Sequence, residues 1–202
     1  MELKRVVVTG LGAVTPIGND VQSFWQGLVN GTSGAADITK FDATNFKTQF
    51  ACEVKDFDVS QFLHRKESRK MDLFAQYAIA CSDEALADAG LDGEEPNVDH
   101  DRVGVIWGSG IGGFQTFMNE ALNFHESGGV PRFSPFFIPM MISDIAAGHI
   151  SIRHGFRGPN FCTVSACASG TNAMIDAFNY IRLGKAEVMV TGGSEAAITE
   201  GG

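Results

Sequence analysis

Cys167 stands in CTVSACASGTNA, residues 162–173, a thiol ringed by small residues just after a β-branched run. Chemistry at such a position would be nucleophilic: a thiolate attacks a carbonyl and holds the acyl group as a thioester. A strand-to-helix junction there puts the side chain at the carboxyl end of a sheet, where α/β proteins place their sites. The helix N-terminus that follows carries partial positive charge, which favours a thiolate. Ala166, Ala168, Ser169 and Gly170 leave room for a carbonyl to approach, and a backbone N–H there would serve its oxyanion. The competing reading is a small buried cysteine that fills a strand–helix joint, a frequent role for this residue. The local pattern leaves both readings open for Cys167, whereas Cys52, Cys81 and Cys162 suit the packing role better.

Other stretches bear on what such a thiol would meet. LHRKESRKMD, 63–72, gathers Arg65, Lys66, Arg69 and Lys70 at the start of a predicted long helix. Cations at a helix N-terminus oppose the macrodipole, at a few tenths of a kcal/mol each. In an acidic chain the cluster suggests a docking patch for an anionic partner, and a solvated basic face is the plainer alternative. GSGIGG, 108–113, lacks the full G-x-G-x-x-G spacing, and TGLGAVTPIG, 9–18, lacks both that spacing and a P-loop lysine. Nucleotide binding therefore finds little support, and glycine turns that let backbone pass close to an acyl chain fit equally. PRFSPFFIPMM, 131–141, is strongly apolar between prolines. It suits core, a dimer contact or the wall of a lipid-binding pocket.

The elements that must position these residues follow from periodicity. Apolar β-branched runs predict buried strands over 5–12, 102–110, 160–166 and 186–195. Helical spacing predicts helices over 20–30, 68–89, 142–153 and 168–183, with another opening at Gly110–Gly113. Gly31, Gly90 and Gly184 supply their stops. The polar run 90–102 reads as a surface connection. Strands alternating with helices imply an α/β fold with a mainly parallel sheet.

Composition narrows the function classes. A net charge of −9 argues against nucleic acid as a partner, because phosphate binding needs a basic surface. Nothing reaches the roughly 18 unbroken apolar residues of a membrane span, so no membrane association is expected. The N-terminus enters a strand pattern directly, without a signal-like apolar region, which suggests a cytoplasmic protein. Four cysteines with no CxxC or Cys/His spacing point to neither a disulfide framework nor a metal site.

Taken in order, RVVVTGLGAVTPIGN, RKESRKMD, GSGIGG, SPFFIP, GHISIRHGFRGPN, TVSACASGTNA and VMVTGGSEA resemble the N-terminal half of the β-ketoacyl-acyl-carrier-protein synthases. These are condensing enzymes with a thiolase-like fold. The resemblance covers essentially all 202 residues. GSGIGG with SPFF is closer to the type II branch, which serves bacterial fatty-acid elongation, than to type I.

The resemblance implies that residues 1–202 are one αβα half of a five-layered αβαβα architecture. It implies that Cys167 accepts the growing chain as a thioester, and that malonyl-carrier then loses CO₂ and its carbanion attacks to give a 3-ketoacyl product. By the same resemblance Arg65, Lys66, Arg69 and Lys70 dock the acidic acyl carrier protein, Ile111 gates the acyl pocket, and Phe136 or Phe137 lines it across a homodimer interface. No cofactor or metal is implied beyond the carrier's phosphopantetheine. The family's two catalytic histidines and its Gly-Phe-Gly oxyanion loop belong to the C-terminal half, and His64, His100, His125, His149 and His154 lie in neither motif. The isolated chain is thus expected to expose the face that packs on that half, to be poorly stable or self-associating, and not to complete condensation. Two alternatives remain: a polyketide-type ketosynthase or related thiolase-fold acyltransferase, and a non-catalytic carrier-binding or dimerisation fragment.

Overall fold

A computed structural model describes residues 3–92 and 98–202. In chain order its main elements are α1 (Val21–Val29), β1 (Ala36–Asp37), β2 (Phe50–Ala51), α2 (Arg65–Ser68), α3 (Leu73–Asp88), β3 (Val103–Gly108), α4 (Phe114–Glu126), α5 (Phe137–Met141), α6 (Ile145–His154), β4 (Asn160–Thr163), α7 (Ser169–Arg182) and β5 (Val188–Gly193). Every residue of β3 is buried, as an uncharged run without polar alternation on a central parallel strand should be. It pairs in parallel with β4 on one side and β5 on the other. Alternation along β3 then divides the core. Val103, Val105 and Trp107 join the cluster built from α3 and α6, around Phe74, Ile79 and Ile150. Ile106 joins Ala173 and Ala177 of α7 on the opposite face. The result is a three-layered αβα sandwich, the α/β architecture that the alternating pattern implies.

The helix stops act as predicted at Gly31, Gly90 and Gly184, whose φ angles are all near +65 to +70°. Of the polar connection 90–102, residues 93–97 lie outside the described residues, and His100–Arg102 forms a single 3-10 turn.

Two expectations need correction. The run 5–12 forms no strand and is largely exposed. Its backbone is held instead by α3: Leu11 N donates to Asp88 Oδ2 at 3.0 Å and Ala13 N to Glu84 Oε2 at 2.8 Å. Gly10 and Gly12 lie so close to α3 that an added Cβ would fall about 2.0 and 1.9 Å from the carbonyls of Ala85 and Cys81. Between this segment and β5 remains a largely apolar cleft of about 510 Å³ lined by Val6, Val8, Leu86, Met174 and Phe178. Val7 and Val8 are left exposed along this open cleft, and α7 likewise leaves Met174, Ile175 and Phe178 exposed.

The second correction concerns the basic cluster. Arg65 and Lys66 sit on α2, a separate single turn, and not at the start of α3. His64 caps α2 by accepting from Lys66 N, and Asp72 caps α3 by accepting from Phe74 N. Arg65 and Lys66 thus belong to a helix of their own, while Arg69 and Lys70 lie between the two caps, Lys70 two residues before Asp72.

The helices α3 and α6 are pinned by Asp83, which accepts from Arg153 Nη2 at 2.7 Å and from His154 Nε2 at 3.0 Å. Burial works to raise the Asp83 carboxyl, but the hydrogen bonds from His154 and Arg153 outweigh it and hold it below its ordinary value. A carboxyl depressed in the folded state stabilises above its unfolded pKa of about 3.9 and loses that contribution as pH falls through the folded value. Asp83→Asn is expected to cost about 1.5–3 kcal/mol near neutrality, the worth of hydrogen bonds to a charged group. Thermal unfolding between about pH 3 and pH 7 checks this, because the variant's deficit should shrink on the acid side of about pH 4.

Candidate functional site

Cys167 lies on the turn between β4 and α7 and is exposed. That position excludes the buried joint-filling thiol. The turn is tight: Ala166 has φ +50°, a left-handed conformation that costs a non-glycine residue about 1–2 kcal/mol. Side chains on both sides compensate. Ser169 Oγ donates to Ala166 O at 2.7 Å and accepts from Ser165 N at 2.8 Å, while Asn172 Nδ2 donates to Ser165 Oγ at 2.6 Å. Strain held in place by such a lattice is typical of functional turns. The amides of Ala168 and Ser169 are spent on Ser165 O and Ala166 O, so neither is an oxyanion donor here.

Cys81 and Cys162 keep packing roles, whereas Cys52 is exposed and so does not fill a core position as the sequence suggested. Burial pushes the Cys81 thiol up to about 11. It also raises Cys162, which sits in β4 with its Sγ 3.4 Å from Thr163 O. Cys52 is exposed just after β2, away from any helix N-terminus.

The glycine turn GSGIGG packs against the turn that carries Cys167. Gly110 is close enough to the turn that an added Cβ would meet Ala166 Cα at 3.4 Å. Its amides do not await a phosphate, because Glu195 fills them: Oε2 accepts from Gly110 N at 2.7 Å and from Ile111 N at 3.2 Å. Ile111, held on this loop, is itself exposed. On the far side Gly113 N donates to Met141 O at 2.9 Å, which brings the loop against the end of α5. The loop that carries the candidate gate thus touches both the thiol turn, through Gly110, and the apolar segment, through Gly113.

That segment presents its two candidate phenylalanines differently. Phe137 stacks between Phe117 of α4 and Phe133, with centroids 6.4 and 5.6 Å away. Phe136 instead lies beneath Lys70 Nζ, 4.9 Å from its ring centroid. Arg65, Lys66, Arg69 and Lys70 are all exposed, so the basic surface borders the apolar one. Among the histidines, His64 caps α2, His154 binds Asp83 and His100 Nδ1 lies 3.1 Å from Gly155 O. Among the described residues no group of three or more His, Cys, Asp or Glu side chains is arranged to hold a metal ion, and no helix is long and apolar enough to cross a membrane.

Sequence reasoning missed Glu195 and Asp72. Both stood in quoted motifs, Glu195 at the carboxyl end of β5 and Asp72 directly before the apolar run of α3. An aspartate in that second position is a readable N-cap signal.

The site is thus a parallel αβα sheet that offers an exposed cysteine on a strand–helix turn, with a glycine loop packed against that turn. The chain belongs to the beta-ketoacyl synthases, whose family model "Beta-ketoacyl synthase, N-terminal domain" matches residues 3–202. The 3-oxoacyl-[acyl-carrier-protein] synthase 2 of Synechocystis sp. is 50% identical over 199 residues, 98% of this chain and 47% of its own. The protein of that name from Staphylococcus aureus strain COL is 46% identical over 196 residues, covering 97% and 47%. The chain therefore spans about half the length of the curated relatives it matches. Among solved structures, the ishigamide ketosynthase/chain length factor is similar with a TM-score of 0.87 and 27% identity, over 98% of this chain and 49% of that one. A type II polyketide acyl-carrier protein in complex with its ketosynthase, bound to the hexaketide, gives 0.82 and 27%, over 98% and 53%.

Proposed function

We propose that this chain is the acyl-accepting half of a fatty-acid-elongating 3-oxoacyl-[acyl-carrier-protein] synthase, an acyltransferase of the cytoplasm. The observation that carries the proposal is the exposed Cys167 thiol on the left-handed turn at the carboxyl end of the sheet, beside the Ile111 loop. In the first step Cys167 Sγ attacks the thioester carbonyl of an acyl chain on a carrier's phosphopantetheine. The carrier thiol leaves with the proton, and the acyl chain stays on Cys167. In the second step malonyl-carrier loses CO₂, and its carbanion attacks the Cys167 thioester to give 3-oxoacyl-carrier and free Cys167. Ile111 stands at the mouth of the acyl pocket. Phe137 lines the pocket within the aromatic stack, and Phe136 borders it across a homodimer interface. Arg65, Lys66, Arg69 and Lys70 receive the acidic carrier protein, and the chain needs no cofactor of its own.

Identity of 46–50% with proteins named 3-oxoacyl-[acyl-carrier-protein] synthase 2, against 27% with the type II polyketide ketosynthase, favours the fatty-acid reading. The second step needs the histidine pair and the oxyanion loop that the family resemblance assigns to a C-terminal half.

Intact-mass measurement after mixing with palmitoyl-acyl carrier protein tests the first step. One adduct per chain is expected, and Cys167→Ala should remove it entirely. An unmodified wild-type chain would instead mark the segment as a binding or dimerisation fragment.

A further inference from the structure

Asp72 caps two helices at once. Its Oδ1 accepts from Phe74 N at 3.4 Å, which closes the start of α3. Its Oδ2 accepts from Thr116 N at 3.0 Å and Thr116 Oγ1 at 2.6 Å, in the first turn of α4. That second cap matters because Gly113, the N-cap of α4, brings no side chain to the four orphan amides of the first turn. A buried carboxylate two residues beyond Lys70 thus supplies what α4 lacks. The α4 start is also the end of the Ile111 loop, and Gly113 fixes that loop to α5. A second link runs in parallel, since Lys70 Nζ rests on the Phe136 ring. A carboxylate arriving from a docked partner would pair with Lys70 and draw its ammonium from that ring.

We propose that Asp72 is a positioning residue that ties the basic docking turn to the Ile111 loop, so that carrier occupation of α2 and the placement of that loop against the Cys167 turn are energetically coupled. The inference rests on the function proposed above. It adds that the carrier acts on the gate from the docking surface, chiefly through the Asp72 carboxylate, before any acyl chain enters. Neither side chain of the pair touches the reacting atoms. Their effect is on where the loop stands.

The test compares Cys167 acylation by palmitoyl-acyl carrier protein with acylation by palmitoyl-N-acetylcysteamine, a donor that has no carrier to dock. The ratio of the two rates is expected to fall about tenfold in Asp72→Asn and in Thr116→Val, within the usual range of coupling between sites. Thr116→Ser, which keeps the hydroxyl, should restore it. In an Ile111→Ala background Asp72→Asn should lose its effect on the ratio, as residues acting through one element are non-additive. Equal losses with both donors would overturn the proposal and leave Asp72 a helix cap only. Hydrogen exchange over 109–117 supplies a readout that needs no acylation. Unacylated carrier protein should slow exchange there in the wild-type chain and not in Asp72→Asn, and an identical response in both would also overturn the coupling. A wild type that takes neither donor would refute the acyl-enzyme reading separately, with the exchange result still deciding the coupling.

Discussion

Gly108→Ala should both destabilise the chain and disarm Cys167. At the end of β3 an added methyl would lie 2.3 Å from the carbonyl carbon of Ser169 and 2.5 Å from Gly170 N. These are backbone atoms of the first turn of α7, which cannot rotate aside as a side chain would. Gly193 of β5 makes the same close approach, its added Cβ 2.8 Å from Gly170 Cα. The start of α7 therefore rests on bare backbone from two strands, and one methyl must lift it. Overpacking of this kind costs about 1–3 kcal/mol, or roughly 3–10 °C in Tm for a chain of this size. The chemical cost is larger, because displacing a reacting group by about 1 Å costs on the order of 10²-fold in rate. Gly148→Ala is the contrasting control. It lies within α6 with only Ile145 Cδ1, 3.9 Å away, near its would-be Cβ. There the substitution should stabilise by about 0.4–1 kcal/mol. Scanning calorimetry and the rate of adduct formation read both effects, and a Gly108→Ala chain that kept wild-type values would refute this account of the turn.

Reversing the basic surface should affect carrier binding as severely. With Arg65, Lys66, Arg69 and Lys70 replaced by glutamate, affinity for acyl carrier protein is expected to fall at least ~10²-fold, mainly in the association rate. The rest of the molecule makes the cluster decisive: at a net charge of −9 the chain repels an acidic partner except where these cations face it. Wild-type affinity should also weaken as ionic strength rises, because exposed charges are screened beyond about 8–10 Å at physiological salt. Surface plasmon resonance at low and high salt separates the terms. The reversed variant should lose the favourable salt dependence along with the affinity, and retention of both would move the docking surface elsewhere.

Local signals carried much of this structure. Gly184 ends α7 where the pattern places it, and the buried run of β3 is legible in Val103, Val105 and Ile106. The strand-to-helix junction at Cys167 is equally legible, because only small side chains fit a turn that close to the sheet. Exposure of the thiol is not, since it depends on what packs over residues 164–168. The run Val6–Val8 shows the limit of composition. Its β-branched side chains satisfy a strand's preferences, yet a strand exists only where a neighbour accepts its amides, and here carboxylates of α3 take the amides that follow. The contacts that organise the site span still greater separations. Asp72 meets Thr116 across 44 residues and Glu195 meets Gly110 across 85. Polar pairings at that range leave no periodicity to read.

The carboxylate of Glu195, lodged in the amides of Gly110 and Ile111, also has a pharmacological meaning. A thiol-directed inhibitor gains nothing from a phosphate or carboxylate aimed at this loop, for the seat is taken and its tenant is negative. On the function proposed above, neutral warheads with an aliphatic tail would suit the approach past Ile111 better. A medicinal chemist would treat the glycine loop as a fixed wall that selects for uncharged electrophiles.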